Sequence, residues 1–350
     1  MKRFPAAAVR RFTASVFEHA GLPAPDAQLV AERMVDADVS GADGHGIIRV
    51  PQYVRRLKAG GYNPRPNIQV QLSGESTALV DGDNGMGHLV MTRAANTAIE
   101  LAARTGASWV GIRNSNHAGP GAVYATMPLA HDMIGIYCAV ASANHMAPWG
   151  GRERLLGTNP IAFAIPAGEE PPVVLDMATS IVSFGTVKKY AVQGKSMPAD
   201  WILDDNGQPI TDATKAGHGL LLPAGGYKGS GLAIVLGLLA GALNGALFGG
   251  DVIDFNADDV SVTNTGHAMC ALEVRRFMPP EQFKKLVDGH IREIRESERL
   301  PGVEAIYVPG EQRQARIRER TAHGIPIPDN LVAQLNELAE DLGAELLAQV

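Results

Sequence analysis

Cysteine is nearly missing from this chain of 350 residues: there are two, Cys138 and Cys270, each inside an apolar run. Two thiols cannot build a disulfide framework, so a stapled secreted scaffold is excluded and a reducing cytoplasm is the expected compartment. Excess positive charge is also missing. Lys and Arg number 31 against 37 Asp and Glu, a net charge of −6, which gives no electrostatic footprint for nucleic acid. The N-terminus MKRFPAAAVRRF has basic residues but no continuous apolar stretch behind them, so it does not read as a signal peptide. Only one run, Leu232 to Gly250, is long and apolar enough to be weighed as a membrane span. It carries Asn244 and many glycines, and a buried helix is the better reading, so no membrane partner is expected. Aromatics are sparse at 5%, and none of the ten histidines forms H-x-x-x-H, so no metal site is expected.

What is abundant is glycine, 39 residues, with 22 prolines. Glycine marks places where the backbone turns sharply or comes close to something. The phosphate fingerprints that use it are absent. Gly85-Met86-Gly87 would need a further glycine at Val90, and Gly229-Ser230-Gly231 one at Ile234. Gly194-Lys195-Ser196 fits the end of a P-loop, but Lys189 stands where its first glycine belongs. Gly237, Gly241, Gly245 and Gly249 recur every four residues, which predicts close packing along one helix, Gly231 to Leu247.

Apolar periodicity predicts helices before residue 60, with Asp26 capping the second and Pro51 in the first turn of a third that starts near Ile48. A hairpin follows (IQVQL and TALVDGD), then a helix Gly87 to Ala103, a strand-rich middle and further helices after Pro279-Pro280. Helices, then strands, then helices describe an α+β fold rather than a doubly wound sheet, with the helical ends packing together around an inserted domain.

Four constellations could carry chemistry. His45 sits between Gly44 and Gly46, with Arg49 four and Tyr53 eight residues on; a helix reaching back to His45 would put all three on one face. An imidazole beside a guanidinium suits reduction of a keto acid, the Arg gripping the carboxylate and the His protonating the alkoxide. The bland alternative is a capping His and an Arg in a surface ion pair. His117, in NSNHAGPG after a strand, is the second candidate, although the same Asn and Ser residues also build turns. Third, GGYKGSG opens a helix with Lys228 alongside, which suits an anion such as a pyrophosphate, or is a plain loop-to-helix junction. Asp176 to Ser180 ends a strand and could bind ribose or amide groups, or cap the next helix.

Taken in order, HGIIRVPQY, SNHAGPGAVYA, GTNPIAFAIP, LDMATS, GGYKGSGLA and YVPGE resemble the type-2 malate/L-lactate dehydrogenase family, from about residue 5 to 345. That family also holds sulfolactate and ureidoglycolate dehydrogenases, a diketogulonate reductase and cyclic-imine reductases. The resemblance implies an NAD- or NADP-dependent oxidoreductase without a Rossmann fold, acting on a small 2-oxo or 2-hydroxy carboxylate. It implies an inserted NAD(P)-binding domain with a mainly antiparallel sheet, residues 118–284. A helix-rich substrate and dimerisation part, 1–117 plus 285–350, completes a homodimer. By the same resemblance His45 and His117 are catalytic, His45 as proton donor, and Arg49, Tyr53, Thr158 and Asn159 are substrate-side. Asp176, Met177, Ala178, Thr179, Ser180, Tyr227, Lys228, Gly310, Glu311 and Gln312 are nucleotide-side. Members usually carry Ser before the first histidine; this chain has Gly44, so one hydroxyl is missing. A cyclic imino acid is the rival substrate, and a non-catalytic nucleotide-binding protein the rival class.

Overall fold

The computed structural model describes residues 1–347. The first core is helical. Strand β1 (Lys2–Phe4) leads into α1 (Ala6–His19) and α2 (Ala24–Val39), and two 3₁₀ turns, Asp43–His45 and Ile47–Arg49, feed α3 (Val50–Ala59). Pro51 falls in the first turn of α3, where its missing N–H costs nothing. Asp26 lies in the first turn of α2 but caps nothing; Pro23 occupies the cap position. Phe12, Val16, Phe17, Met34, Val50 and Leu57 meet Leu331 and Leu335 from the other end of the chain. The two helical ends therefore share one core, as their order in the sequence predicts.

A hairpin, β2 (Gln69–Leu72) and β3 (Thr77–Asp81), precedes α4 (Gly87–Thr105), β4 (Trp109–Ser115) and the short α5 (Gly121–Ala125). The stretch Met127–His131 after α5 is 3₁₀ rather than a continued α-helix; Pro128 cannot donate the next helical bond. The chain continues through β5 (Met133–Ala139), β6 (Asn144–Met146), β7 (Leu156–Gly157), β8 (Ile161–Ile165), β9 (Val173–Met177) and α6 (Phe184–Val192). Then come β10 (Ile202–Leu203), β11 (Leu220–Leu221), α7 (Tyr227–Ala240), β12 (Thr265–Glu273) and α8 (Pro280–Glu296). The last elements are α9 (Glu311–His323), β13 (Ile325–Ile327), which pairs with β1, and α10 (Asp329–Leu342).

Seven strands form the main sheet in the order β2-β3-β4-β12-β5-β8-β9. Only β3 and β4 are parallel; every other neighbour is antiparallel. The fold is α+β with a mainly antiparallel sheet, not a doubly wound one. The expected boundary at 117/118 cuts this sheet, because β2, β3 and β4 come before it. Alternation along β12 explains the layering: Met269 and Ala271 face α4 through Ala94, Ala95 and Ala98, while Ala268 faces α7 through Leu236 and Ala240. A smaller sheet, β10-β11-β6-β7, has its own apolar cluster around Met146, Leu156 and Ile202.

The predicted glycine-striped helix needs correction. Helix α7 begins earlier, at Tyr227, and ends at Ala240. Gly237 alone of the four lies inside it: Gly241 ends it with φ −97° and ψ −84°, and Gly245 and Gly249 occupy left-handed turns. A four-residue spacing is shared by a helix face and by a run of tight turns, and here the turns account for the last two.

Candidate active site

The site is built from the turn before α3. Asp38 of α2 is buried, and its Oδ2 accepts the backbone N–H of Ile47 at 2.8 Å. A Cβ on Gly46 would stand 1.9 Å from Asp38 Oδ1, so only glycine lets the turn close on this carboxyl. Burial pushes the carboxyl up to about 8. Asp43, in the same turn, is gripped by the Arg320 guanidinium of α9. Gly46, at φ −95° and ψ −140°, breaks the helical path, so His45 does not share a helix face with Arg49 and Tyr53. The residues meet by a different route.

Arg49 points outward. Its Nε donates to Gly44 O at 2.9 Å, and its Nη1 to Gln52 Oε1 at 2.8 Å and Asn256 Oδ1 at 3.2 Å. Among the described residues it has no ion pair with any carboxylate. Three neutral acceptors fix the guanidinium while its charge stays free, which is the arrangement for receiving an anionic ligand.

Tyr53 points the other way, into the core, and is fully buried. Its hydroxyl lies 2.6 Å from His117 Nδ1, and His117 Nε2 lies 3.3 Å from His45 Nδ1. The two imidazoles are 11° from parallel with centroids 5.3 Å apart, and Phe255 stacks on His117 at 5.4 Å. Burial raises the Tyr53 phenol and lowers both histidines, His45 to about 4 with help from Arg49, and His117 well below its usual range. All three groups are therefore neutral near pH 7. A protonated phenol donates to Nδ1 of His117, which leaves the His117 proton on Nε2, facing His45 Nδ1. The remaining His45 hydrogen then sits on Nε2, at the open end of the chain.

The loop carrying His117 is held from below. Asn116, fully buried, donates to Gly85 O and Asn84 Oδ1 and accepts the Thr263 hydroxyl at 2.6 Å. Its carbonyl accepts from His267 Nε2 at 3.2 Å, while Tyr137 donates to His267 Nδ1 at 2.9 Å. Burial lowers His267 to about 4, so it too stays neutral.

Most of the nucleotide-side segments converge beside this loop. Asp176 Oδ2 accepts the N–H of Ala122, five residues after His117. Thr179 N–H and hydroxyl both donate to Thr158 O, and Ala224 N–H donates to Thr179 O. Gly225 and Gly226, both with φ near 64°, turn the chain into α7, whose N-terminus no side chain caps. A Cβ on Gly229 would lie 2.6 Å from Thr179 O. Tyr227 and Lys228 are exposed at this helix start, next to the indole of Trp149. An uncapped helix N-terminus with a lysine and backbone drawn in close suits a pyrophosphate, so these residues fit a dinucleotide. Met177, Ala178 and Ser180 lie along the same edge, and Gly310 packs on Val174 of β9.

Two expected contacts are already committed elsewhere. Asn159 is fully buried, accepting from Ala141 N–H and donating to Ala233 O, so its amide ties β8 to α7. Glu311 caps Val308 N–H and pairs with Arg295, and Gly310 O accepts Gln314 N–H, so at the start of α9 it is the exposed Gln312 side chain that is left for a ligand. Sequence reasoning did not single out Asp38, Gln52, Phe255, Asn256, His88 or His267. The last two were visible only as histidines within helix and strand patterns; Phe255 and Asn256 act across long separations, while Asp38 and Gln52 lie close in the chain to the turn they hold but stand in ordinary helical patterns.

The comparisons with known proteins bear on this geometry. A profile of the malate/L-lactate dehydrogenase family matches residues 4–336. A malate dehydrogenase of Pyrococcus horikoshii is 37% identical over 98% of this chain and 96% of its own. An L-sulfolactate dehydrogenase of Methanocaldococcus jannaschii is 37% identical over 96% of each chain, and its solved structure superposes with a TM-score of 0.91 over 98% of each. A delta1-piperideine-2-carboxylate reductase of Pseudomonas syringae shares 26% identity and a TM-score of 0.84, covering 97% of this chain and all of that one. The chain belongs to the malate/L-lactate dehydrogenase family.

Proposed function

We propose that this protein moves hydride between NAD(P)(H) and the α-carbon of a small 2-oxo or 2-hydroxy carboxylate, with Arg49 as carboxylate anchor and His45 as acid. The free charge of Arg49, held by neutral acceptors beside a chain of neutral histidines, carries this reading. NAD(P)H, when bound, supplies the hydride, and Asp176 to Ser180, Tyr227, Lys228 and Gly310 to Gln312 would hold it. Arg49 turns the substrate carboxylate so that the carbonyl oxygen faces His45. Once the substrate carboxylate neutralises Arg49, His45 binds a second proton from solvent; its imidazolium gives the Nε2 proton to that oxygen and returns to the neutral ring, and in the oxidative direction the Nε2 lone pair accepts the hydroxyl proton. His117 steadies whichever tautomer His45 needs, and Tyr53 fixes His117. Thr158 stays substrate-side in this reading, while Asn159 acts by positioning the β8 edge. The same anchor and hydride serve a cyclic imino acid, with the proton going to nitrogen, and the structural likeness to the piperideine reductase supports keeping that substrate in view.

The test is a panel of pyruvate, oxaloacetate, sulfopyruvate and a cyclic ketimine with NADH and NADPH. His45→Ala is expected to lose about 10²- to 10⁴-fold in kcat while cofactor binding persists. Arg49→Ala should lower kcat/KM for every carboxylate. Full turnover in His45→Ala with none in His117→Ala would reverse the assignment, and tight NAD(P)H binding without turnover on the whole panel would favour a non-catalytic protein. We also infer a homodimer, supported by an exposed apolar face on α7, and a cytoplasmic setting, supported by two unpaired cysteines.

A further inference from the structure

His88, the second residue of α4, is 1% exposed, and among the described residues neither ring nitrogen has a hydrogen-bond partner. Orphaned buried polar atoms cost stability that a leucine of similar volume would avoid, so the imidazole needs an explanation. The ring is close to the acid chain. It meets Tyr53 edge-on, with centroids 5.4 Å apart and planes at 75°. Gly119, at φ 80°, also lies against it. A side chain on Gly119 would begin 3.5 Å from His88 Nε2 and 3.9 Å from the carbonyl oxygen of His45. Glycine therefore leaves a small polar recess between His88 Nε2 and that carbonyl, at the ring that packs on Tyr53. Tyr53 is fully buried, so a carboxylate substrate cannot reach the recess. Water can: buried polar groups with two or more partners around a small space hold ordered water.

We propose that His88 is a positioning residue which, with one water molecule in the recess beside Gly119, holds Tyr53 so that its phenol hydrogen points at His117 Nδ1. The water donates to the phenol oxygen and takes up a His88 nitrogen, and this leaves the phenol one acceptor for its own hydrogen. The direction then propagates: His117 keeps its proton on Nε2, and His45 keeps its proton on the nitrogen that faces the substrate. The proposal rests on the reading of His45, His117 and Tyr53 as the acid chain, so its first readout does not require turnover.

Histidine-labelled protein examined by ¹⁵N NMR reports the His117 tautomer directly. The parent protein should show one tautomer, with Nδ1 as the acceptor. His88→Leu should give a mixture at His117, while His88→Gln, which can hold the same water, should restore the single form. In turnover, His88→Leu is expected to lose about tenfold or more in kcat with KM and NAD(P)H affinity unchanged. Its melting temperature should match or exceed that of the parent. A single parental tautomer together with parental kcat in His88→Leu would overturn the proposal. So would parallel losses of stability and kcat in both variants with an unaltered tautomer, the behaviour of a plain core residue. If the parent turns over nothing on the substrate panel, the proposed function fails, and the tautomer comparison still decides the role of His88.

Discussion

His45, His88, His117 and His267 occupy one buried neighbourhood, and burial pushes all four below the usual histidine range. Unfolded, each ring titrates near 6.5; folded, His45 and His267 do so near 4 and His88 near 3. Between about 4 and 6.5 the unfolded chain therefore binds more protons at these sites. Their contribution to stability is complete above pH 6.5 and is lost as the pH falls through that window. Asp38 works in the opposite sense. Its carboxyl is raised to about 8 in the fold, so it favours the folded state as the pH drops below 8 and offsets one histidine. Asp176, raised by burial to about 6, joins Asp38 below that pH; each group contributes at most about 1.4 kcal/mol per pH unit, and four against two leaves acidification below 6.5 destabilising. Calorimetric melts from pH 8 to 5 should show a rise down to about 6.5, as Asp38 takes up its proton, and a fall below it as the histidines titrate in the unfolded chain. A melting temperature that stays level from 6.5 to 5 would mean that the four rings do not titrate as their burial requires.

The same contrast between buried and open backbone separates glycines at the level of elements. Gly231 lies in α7 with no atom within 4 Å of a Cβ built on it, whereas a Cβ on Gly266 of β12 would stand 2.1 Å from the carbonyl oxygen of Ala240 at the end of α7. Gly231→Ala should raise stability by about 0.5–1 kcal/mol through helix propensity alone. Gly266→Ala should cost about 2 kcal/mol or more, because α7 must lift off the sheet. Denaturant melts of the two variants separate these outcomes, and equal effects would show that α7 does not bear on β12 as described. The pair also shows what could be read in advance. Helices α1 to α4, the β2–β3 hairpin and β12 were legible because their apolar period holds over many residues. The end of α7 was not, since a glycine every fourth residue is compatible with a helix and with turns. Two-residue strands such as β7, β10 and β11 have no period to read. In the site, local spacing found His45, Arg49 and Tyr53, yet Gly46 separates His45 from the helix. What joins Tyr53 to His45 is His117, 64 residues beyond Tyr53 in the chain, a pairing no local pattern encodes.

For the molecule as a whole, the unresolved surface is the outer side of α7. Its inner side, with Ala233, Leu236 and Ala240, is sealed against the sheet. Its outer side leaves Leu232 44%, Val235 52% and Leu238 47% exposed, with Leu243 just beyond at 63%. A contiguous apolar stripe of this kind marks a surface that another body covers. A bilayer fits poorly. Fourteen helical residues reach about 21 Å, short of a hydrocarbon core of about 30 Å. Asn244, just past the helix, spends its amide on the carbonyls of Ala240 and His267, which locks that end to the sheet. A second copy of the chain suits the stripe better, since a two-fold interface needs only one self-complementary patch. Sedimentation equilibrium of the parent should give twice the chain mass. The double variant Val235→Glu, Leu238→Glu places four carboxylates at that interface, two from each copy, and should sediment as a folded monomer with an unchanged far-UV spectrum. A parent that sediments as a monomer would rule out the second copy, a double variant that remains dimeric would move the interface to another face, and a parent that partitions into lipid vesicles would return the stripe to the membrane.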